Sequence, residues 1–157
     1  METIGTAKDY FEQVVGYNLA TYKADPSNLP TAYNLAISLF HMHGWMWSTY
    51  GKALGTDLKN AHGHNLHVQA SSQAFKHMRD LANTSKHVIL TKTPSTKATK
   101  ITDTYAIESG WGVGDFGAGK YGRGSIIIDD GGTEVDFEDV ADEAHTYWKN
   151  LLASMSA

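Results

Sequence analysis

The segment RDLANTSKHVIL, residues 79–90, carries polar side chains at the spacing of one helical face. Residues four apart lie on the same face of a helix, so Arg79, Asn83 and His87 align, with Lys86 beside them. We call these four residues the polar stripe. Its cations and amide could bind an anionic group, and His87 could act as a general acid or base. The favoured interpretation is structural, because Lys86 and His87 suit the negative end of a helix dipole.

A second group with possible chemistry is the histidine cluster H-x-H-x-x-H, formed by His62, His64 and His67. Three imidazoles are enough for a zinc or nickel site. The cluster lacks the spacing of the HExxH zinc motif and has no adjacent carboxylate to serve as a base. Solvated histidines at the start of a helix are therefore the favoured interpretation, and no cofactor is expected.

Two further histidines, His41 and His43, lie in a segment that is apolar nearly all round. Residues two apart on a helix point about 200° away from each other, so these two cannot chelate one ion together. Each needs a hydrogen-bond partner if it is buried. We expect two satisfied core histidines, which Asn83 and His87 could contact to fix helix register, and we keep both as candidate binding residues.

A glycine-rich segment, WGVGDFGAGKYGRGSI, spans residues 111–126 and resembles two nucleotide-binding motifs. Gly114, Gly119 and Lys120 match a phosphate-binding loop, but Tyr121 stands where the motif needs Ser or Thr. A dinucleotide motif also matches, at Gly112, Gly114 and Gly117. Both motifs require a following helix, whereas GSIIID has the composition of a strand. The segment is therefore not predicted to bind a nucleotide.

A five-residue repeat accounts better for the same glycines: GVGDF, GAGKY and GRGSI. Bulky side chains recur every five residues, at Trp111, Phe116, Tyr121 and Ile126. In a plain strand this spacing would send successive anchors to opposite faces, so each unit needs a turn or bulge, which paired glycines permit. We expect a looped ribbon, called here the pentad ribbon, with Trp111, Phe116 and Tyr121 as candidate binding residues.

LANTSKHVIL, followed by the glycine–aromatic pentads and a closing helix with Tyr-Trp, resembles a set of small bacterial proteins. In these a D-x-A-N-x-x-K-H helix precedes a G-x-G-x-[FY]-G segment, and the family implies no particular activity. The N-x-x-K-H pattern is also similar to the HEPN superfamily of helical bundles. Several HEPN proteins are ribonucleases of toxin or defence systems, with an Arg and a His at a dimer interface. This resemblance implies a dimer that uses the polar stripe on RNA or nucleotides.

Hydrophobic periodicity predicts the elements that position these residues. Helices are expected over 7–22, from about 30 to 51 or 54, over 65–87 and over 137–155, the last with Asp136 as its N-cap. The second is apolar nearly all round and belongs at the centre of a bundle. Segments HVILTK, TKITDTYAIES and GSIIIDDGGTEVDF show strand composition, with DDGG as a hairpin turn.

The predicted fold is α+β: a bundle of three N-terminal helices and a C-terminal helix, with a small antiparallel meander inserted before the last helix. We expect one domain over residues 1–157, helical over about 7–87 and 137–155, and β-rich and glycine-rich over about 88–136. At 157 residues the chain can form one ordinary core.

The composition of the chain limits the kinds of partner and the compartment that we expect for it. The net charge of −4 and the pI near 6.0 argue against nucleic acid, and no apolar run is long enough to cross a membrane. The absence of cysteine and of a signal-peptide pattern favours the cytoplasm. The leading hypothesis is a non-enzymatic binding domain that contacts a protein or a second copy of itself through the pentad ribbon. The alternatives are a HEPN-like ribonuclease and a histidine metal-binding protein.

Overall fold

The computed structural model describes residues 3–91, 94–107 and 123–155, and it has the predicted α+β architecture. A helical bundle carries a three-stranded antiparallel sheet before the last helix. The helices are α1 (Ala7–Tyr10), a π-helical turn (Phe11–Val15), α2 (Gly16–Ala24), α3 (Leu29–Tyr50), α4 (Ala61–Ser71), α5 (Gln73–His87) and α6 (Phe137–Met155). The strands are β1 (Thr104–Ile107), β2 (Ser125–Asp129) and β3 (Glu134–Asp136), and short 3₁₀ helices cover Gly51–Leu54 and Ile101–Asp103.

The first predicted helix is present but contains a π-helical turn. Thr6 begins it with a capping box: its hydroxyl accepts from the Asp9 N–H at 3.1 Å, and the Asp9 carboxylate accepts from the Thr6 N–H at 3.0 Å. In the π-helical turn the Gly16 N–H donates to the carbonyl of Phe11, five residues back. The turn therefore holds one residue more than an α-helical turn would.

Helix α3 lies at the centre of the bundle, as its apolar circumference predicts. Asn28 caps its N-terminus by accepting from the Thr31 N–H at 3.2 Å, and α3 packs against α1, α2, α4, α5 and α6. The buried indole of Trp148 in α6 donates to the carbonyl of Leu39 in α3 at 3.0 Å. This bond joins the two longest helices of the described chain through the core.

The predicted single helix over 65–87 is wrong, because the chain forms α4 and α5 with a break at Ser72. The Ser72 backbone is extended, and its hydroxyl caps α5 by accepting from the Ala74 N–H at 3.0 Å. Serine favours such caps since its side chain competes with helical hydrogen bonding. Ser72 also donates to the Glu143 carboxylate on α6, which fixes the break against the bundle.

The sheet has the order β1-β2-β3, with Ile128 opposite both Thr104 and Val135. Strand β2 is buried and packs on α6. In the DDGG turn both glycines have positive φ, 68° at Gly131 and 93° at Gly132, as the hairpin signal predicts. The strand expected over HVILTK is reduced to one antiparallel bridge between Ile89 and Lys100.

Candidate functional site

The N-terminal half of α5 is built around a buried carboxylate, Asp80. This side chain is completely buried, and its Oδ2 accepts from the Ser95 N–H at 2.8 Å, the Thr96 N–H at 2.6 Å and the Thr96 hydroxyl at 3.0 Å. Burial raises the pKa of Asp80, against the hydrogen bonds from Thr96 and Ser95, which lower it. Asp80 thus holds the loop that follows α5 against the middle of the helix.

Arg79 belongs to the same network. Its guanidinium donates to the Ser95 hydroxyl and lies 3.6 Å from Oδ1 of Asp80. The Ser95 hydroxyl in turn donates to the side-chain carbonyl of Gln69 at 2.8 Å. The Arg79 guanidinium is therefore held by the loop that follows α5.

His77 extends this network to the β-hairpin. Only 3% of His77 is exposed, and its Nε2 lies 3.6 Å from Oδ2 of Asp130, whose Oδ1 accepts from the Lys97 N–H at 2.6 Å. Burial lowers the pKa of His77, while the charges of Asp130, Asp80 and Glu143 oppose that shift. Within the described residues His77 Nδ1 has no hydrogen-bond partner.

The C-terminal end of α5 is different, because its polar groups face solvent. Asn83 is half-buried, and Lys86 and His87 are exposed. The helix ends at Val88, whose φ of 61° and ψ of −45° lie in a region that β-branched residues avoid. The Ile89 N–H donates to the His87 carbonyl at 2.6 Å, which closes a γ-turn of the rare, strained hand.

This turn presents two apolar side chains to solvent. Val88 is 57% exposed and Ile89 is 49% exposed. The bridge places Lys100, also exposed, on the same face as Ile89, since directly opposed residues of an antiparallel pair share a face. We call the surface of Lys86, His87, Val88, Ile89 and Lys100 the α5 corner.

The polar stripe is therefore divided by its surroundings. Arg79 is held by Ser95 and Asp80, whereas Lys86 and His87 lie on the exposed α5 corner and Asn83 lies between. The contacts of Arg79 agree with a structural role, and the function of the stripe as a whole stays a prediction. The predicted contact of Asn83 and His87 with His41 or His43 is absent from the hydrogen bonds of the described residues. Sequence reasoning missed Asp80 and His77, because their partners Thr96 and Asp130 lie in other segments of the chain and leave no local signal in α5.

The histidine cluster is not assembled as a metal site. His64 is buried and its Nδ1 lies 3.0 Å from the His43 carbonyl, whereas His62 and His67 are exposed. Over residues 3–91, 94–107 and 123–155 no group of three or more His, Asp or Glu side chains could hold a metal ion. His64 supports the contact between α3 and α4.

His41 and His43 are half-buried in α3 and both have pKa values lowered by burial. His43 Nδ1 lies 2.6 Å from the Phe40 carbonyl, a partner of the kind predicted for a core histidine. The ring centroids of Phe40 and His41 lie 5.6 Å apart. Their environment indicates packing within α3, and their assignment as binding residues stays a prediction.

Most of the pentad ribbon, including Trp111, Phe116, Tyr121 and the phosphate-loop positions Gly114, Gly119 and Lys120, lies outside the described residues. Its last part is described. The last two residues of the ribbon belong to strand β2, which begins at Ser125 as the composition of GSIIID predicts, and Ile126 is buried in it. Gly124 approaches Ser27 so closely that an added Cβ would lie 2.6 Å from the Ser27 Cβ. The binding role of the three aromatic residues stays a prediction.

Comparison with known proteins identifies no relative. No family model, no curated protein and no solved structure matches the chain. Within the described parts of the chain, no helix combines the length and apolar character that crossing a bilayer requires. A functional assignment for this protein therefore depends on the geometry of its own residues.

Proposed function

We propose that the protein is a non-enzymatic binding domain that holds an extended peptide segment of a partner protein, apolar and acidic in character, at the α5 corner. The observation that carries the proposal is the exposed pair Val88 and Ile89 on a backbone turn with positive φ. A β-branched residue in such a conformation costs about 1–3 kcal/mol, and such strain concentrates at functional sites.

Charge supports an acidic partner. Lys86, His87 and Lys100 flank the two apolar side chains, in a chain whose net charge is −4. The nearby Asp103 carboxylate is engaged in hydrogen bonds within the chain, since its Oδ2 accepts from the Thr99 and Lys100 N–H groups at 2.9 Å each. Complementary charges at the rim of an interface speed association and select the partner.

The backbone supports an extended conformation for that partner. The Leu90 N–H donates to the Thr99 carbonyl and the Ile101 N–H donates to the Val88 carbonyl, both at 2.7 Å. Ile89 lies between Val88 and Leu90, and in an antiparallel pair such a residue points its carbonyl away from the paired strand. No donor among the described residues bonds to the Ile89 carbonyl. An added strand could donate a hydrogen bond to the Ile89 carbonyl, since the Ile89 N–H is already bonded to the His87 carbonyl, and could place alternate side chains on Val88 and Ile89.

A peptide selection tests the proposal on the full chain. A displayed library of random peptides is expected to yield sequences that combine aliphatic residues with Asp or Glu. The affinity of one selected synthetic peptide is then measured by fluorescence anisotropy. In the double variant Val88→Thr, Ile89→Thr, which keeps both β-branches, binding is expected to weaken at least about tenfold, equal to about 1.4 kcal/mol.

The matched control is Tyr17→Ser, which removes an exposed apolar side chain from α2 and is expected to leave affinity unchanged. Failure to enrich any peptide, or equal affinity in the double variant, would contradict the proposal. So would RNA cleavage by the purified protein that is lost in His87→Ala, since that result favours the HEPN-like ribonuclease.

A further inference from the structure

Helix α1, the π-helical turn and α6 line an open groove of about 290 Å³, which shares no residue with the α5 corner. Phe11, Leu152 and Ala153 supply its apolar surface, and Lys8, Glu12 and Lys149 supply its charged groups. The Phe11 ring stacks on His145 with centroids 4.8 Å apart, so His145 supports this wall of the groove. The groove combines an apolar interior with charged groups, as small-molecule sites do.

The π-helical turn forms one side of this groove. It begins at Phe11 and includes Glu12, two of the groove residues. π-Helical turns are rare, and single turns of this kind occur frequently at functional sites. This backbone feature is independent of the cavity itself and points to the same place.

The charges of the groove favour an anion. Lys8 lies 3.9 Å from the Glu12 carboxylate, an exposed pair of the kind that contributes little to stability. Lys149 has no ion pair among the described residues and is exposed. Two cations and one carboxylate leave one positive charge at the groove, in a chain that is negative overall.

We infer that this groove binds a small carboxylate with an unbranched alkyl chain, its head group at Lys149 and Lys8 and its chain on Phe11, Leu152 and Ala153. At about 30 Å³ for a water-sized group, the volume has room for about ten non-hydrogen atoms. A chain of about six to eight carbons with its carboxylate fits that limit. The inference does not depend on the peptide site at the α5 corner.

A titration of the ¹⁵N-labelled full chain tests the inference with three probes. Sodium hexanoate is expected to give saturable chemical-shift changes centred on Phe11, Glu12 and the groove side of α6. 1-Hexanol, which lacks the charge, is expected to bind at least about fivefold more weakly, and acetate, which lacks the chain, is expected not to saturate.

Two substitutions at exposed positions test separately whether binding depends on the charge of the groove and on its shape. Ala153→Met fills the groove and is expected to abolish saturable binding, while Lys149→Met is expected to weaken it about fivefold, with Lys52→Met as the matched lysine control. Thermal unfolding of each variant verifies that the fold is intact.

Three results would overturn the inference: equal affinity for hexanoate and hexanol, unchanged binding in Ala153→Met, or shifts that spread over the surface without saturating. Binding to anionic lipid vesicles without saturable binding of hexanoate would likewise replace the groove with a surface patch. None of these results bears on peptide binding at the α5 corner, so the two proposals fail separately.

Discussion

The two ends of α5 use similar residue types for different purposes. In the N-terminal half, His77, Arg79 and Asp80 are directed at the 95–97 loop and the β-hairpin and are largely removed from water. At the C-terminal end, Lys86 and His87 are exposed beside a strained turn. A stripe of polar residues on one helical face is therefore not one site, because the elements packed over each turn decide which side chains remain available.

The largest expected effect is on stability, at the buried part of α5 around Asp80. Asp80→Ala removes the acceptor for three donors of Ser95 and Thr96, and we expect it to lower the free energy of unfolding by about 3 kcal/mol. Urea denaturation measures this value. The control is Asp103→Ala, which removes an acceptor of two N–H groups from a half-buried site and is expected to cost about 1 kcal/mol. An equal or larger loss in the control would contradict the comparison.

At the strained C-terminal end of α5, a substitution is expected to raise the free energy of unfolding. Val88→Gly removes an exposed side chain from a backbone with φ of 61°. We expect the free energy of unfolding to rise by about 1 kcal/mol, because relief of strain exceeds the entropic cost of glycine. Val88→Ala keeps a Cβ and is expected to give no such gain in the same urea experiment. A loss of stability in Val88→Gly would show that the turn is not strained.

A smaller effect is expected from the charges of the α5 corner. Lys86→Glu and Lys100→Glu are each expected to weaken binding of the selected acidic peptide about threefold to fivefold, and the effect should shrink as salt is added. Lys76→Glu, on the half-buried side of α5, serves as the control and is expected to change affinity less. Equal effects at all three lysines would indicate attraction by net charge without a defined site.

The smallest effect is expected in the pH dependence of stability. Burial lowers the pKa of His77 below its usual value, so the unfolded chain takes up a proton first as pH falls through about 6.5. Stability contributed by neutral His77 is therefore present above this range and lost below it.

Replacing His77 by Gln should reduce the loss of unfolding free energy between about pH 7.5 and pH 5.5. Asp80 has the opposite sign, because its pKa is raised, but it is present in both proteins and its effect largely cancels in the difference. The internal control is the range from about pH 7.5 to 8.5, where the free energies of unfolding of the two proteins should differ by a constant amount. Equal acid slopes in the variant and the unsubstituted protein would contradict the assignment.

Local signals in the sequence predict most of the fold. The apolar circumference of α3, Asp136 as a cap that accepts from the Glu138 N–H at 2.8 Å, and the positive φ of Gly131 and Gly132 all follow from neighbouring residues. The break at Ser72 is not predictable from neighbouring residues, because helical periodicity continues on both sides of it. Its decisive partner, Glu143, is 71 residues away.

The site was harder to predict for the same reason. Asp80 and His77 receive their roles from Thr96 and Asp130, which the chain brings to α5 only when the loop and hairpin pack. The exposure of Val88 and Ile89 was not predictable either, since HVILTK has the composition of a buried strand. A single bridge to Lys100 and an unusual turn leave these residues at the surface.

The π-helical turn at Phe11–Val15 has a consequence for the length of the chain. Because the Gly16 N–H bonds to the carbonyl five residues back instead of four, the turn absorbs one extra residue and the helix beyond it keeps its angular phase. Removing one residue there would let the helix run on regularly and leave Tyr22 buried against Phe137, whereas removing one residue within α2 would rotate the residues beyond it by about 100° around the helix axis. This short stretch should thus accept the deletion of one residue more readily than α2 does.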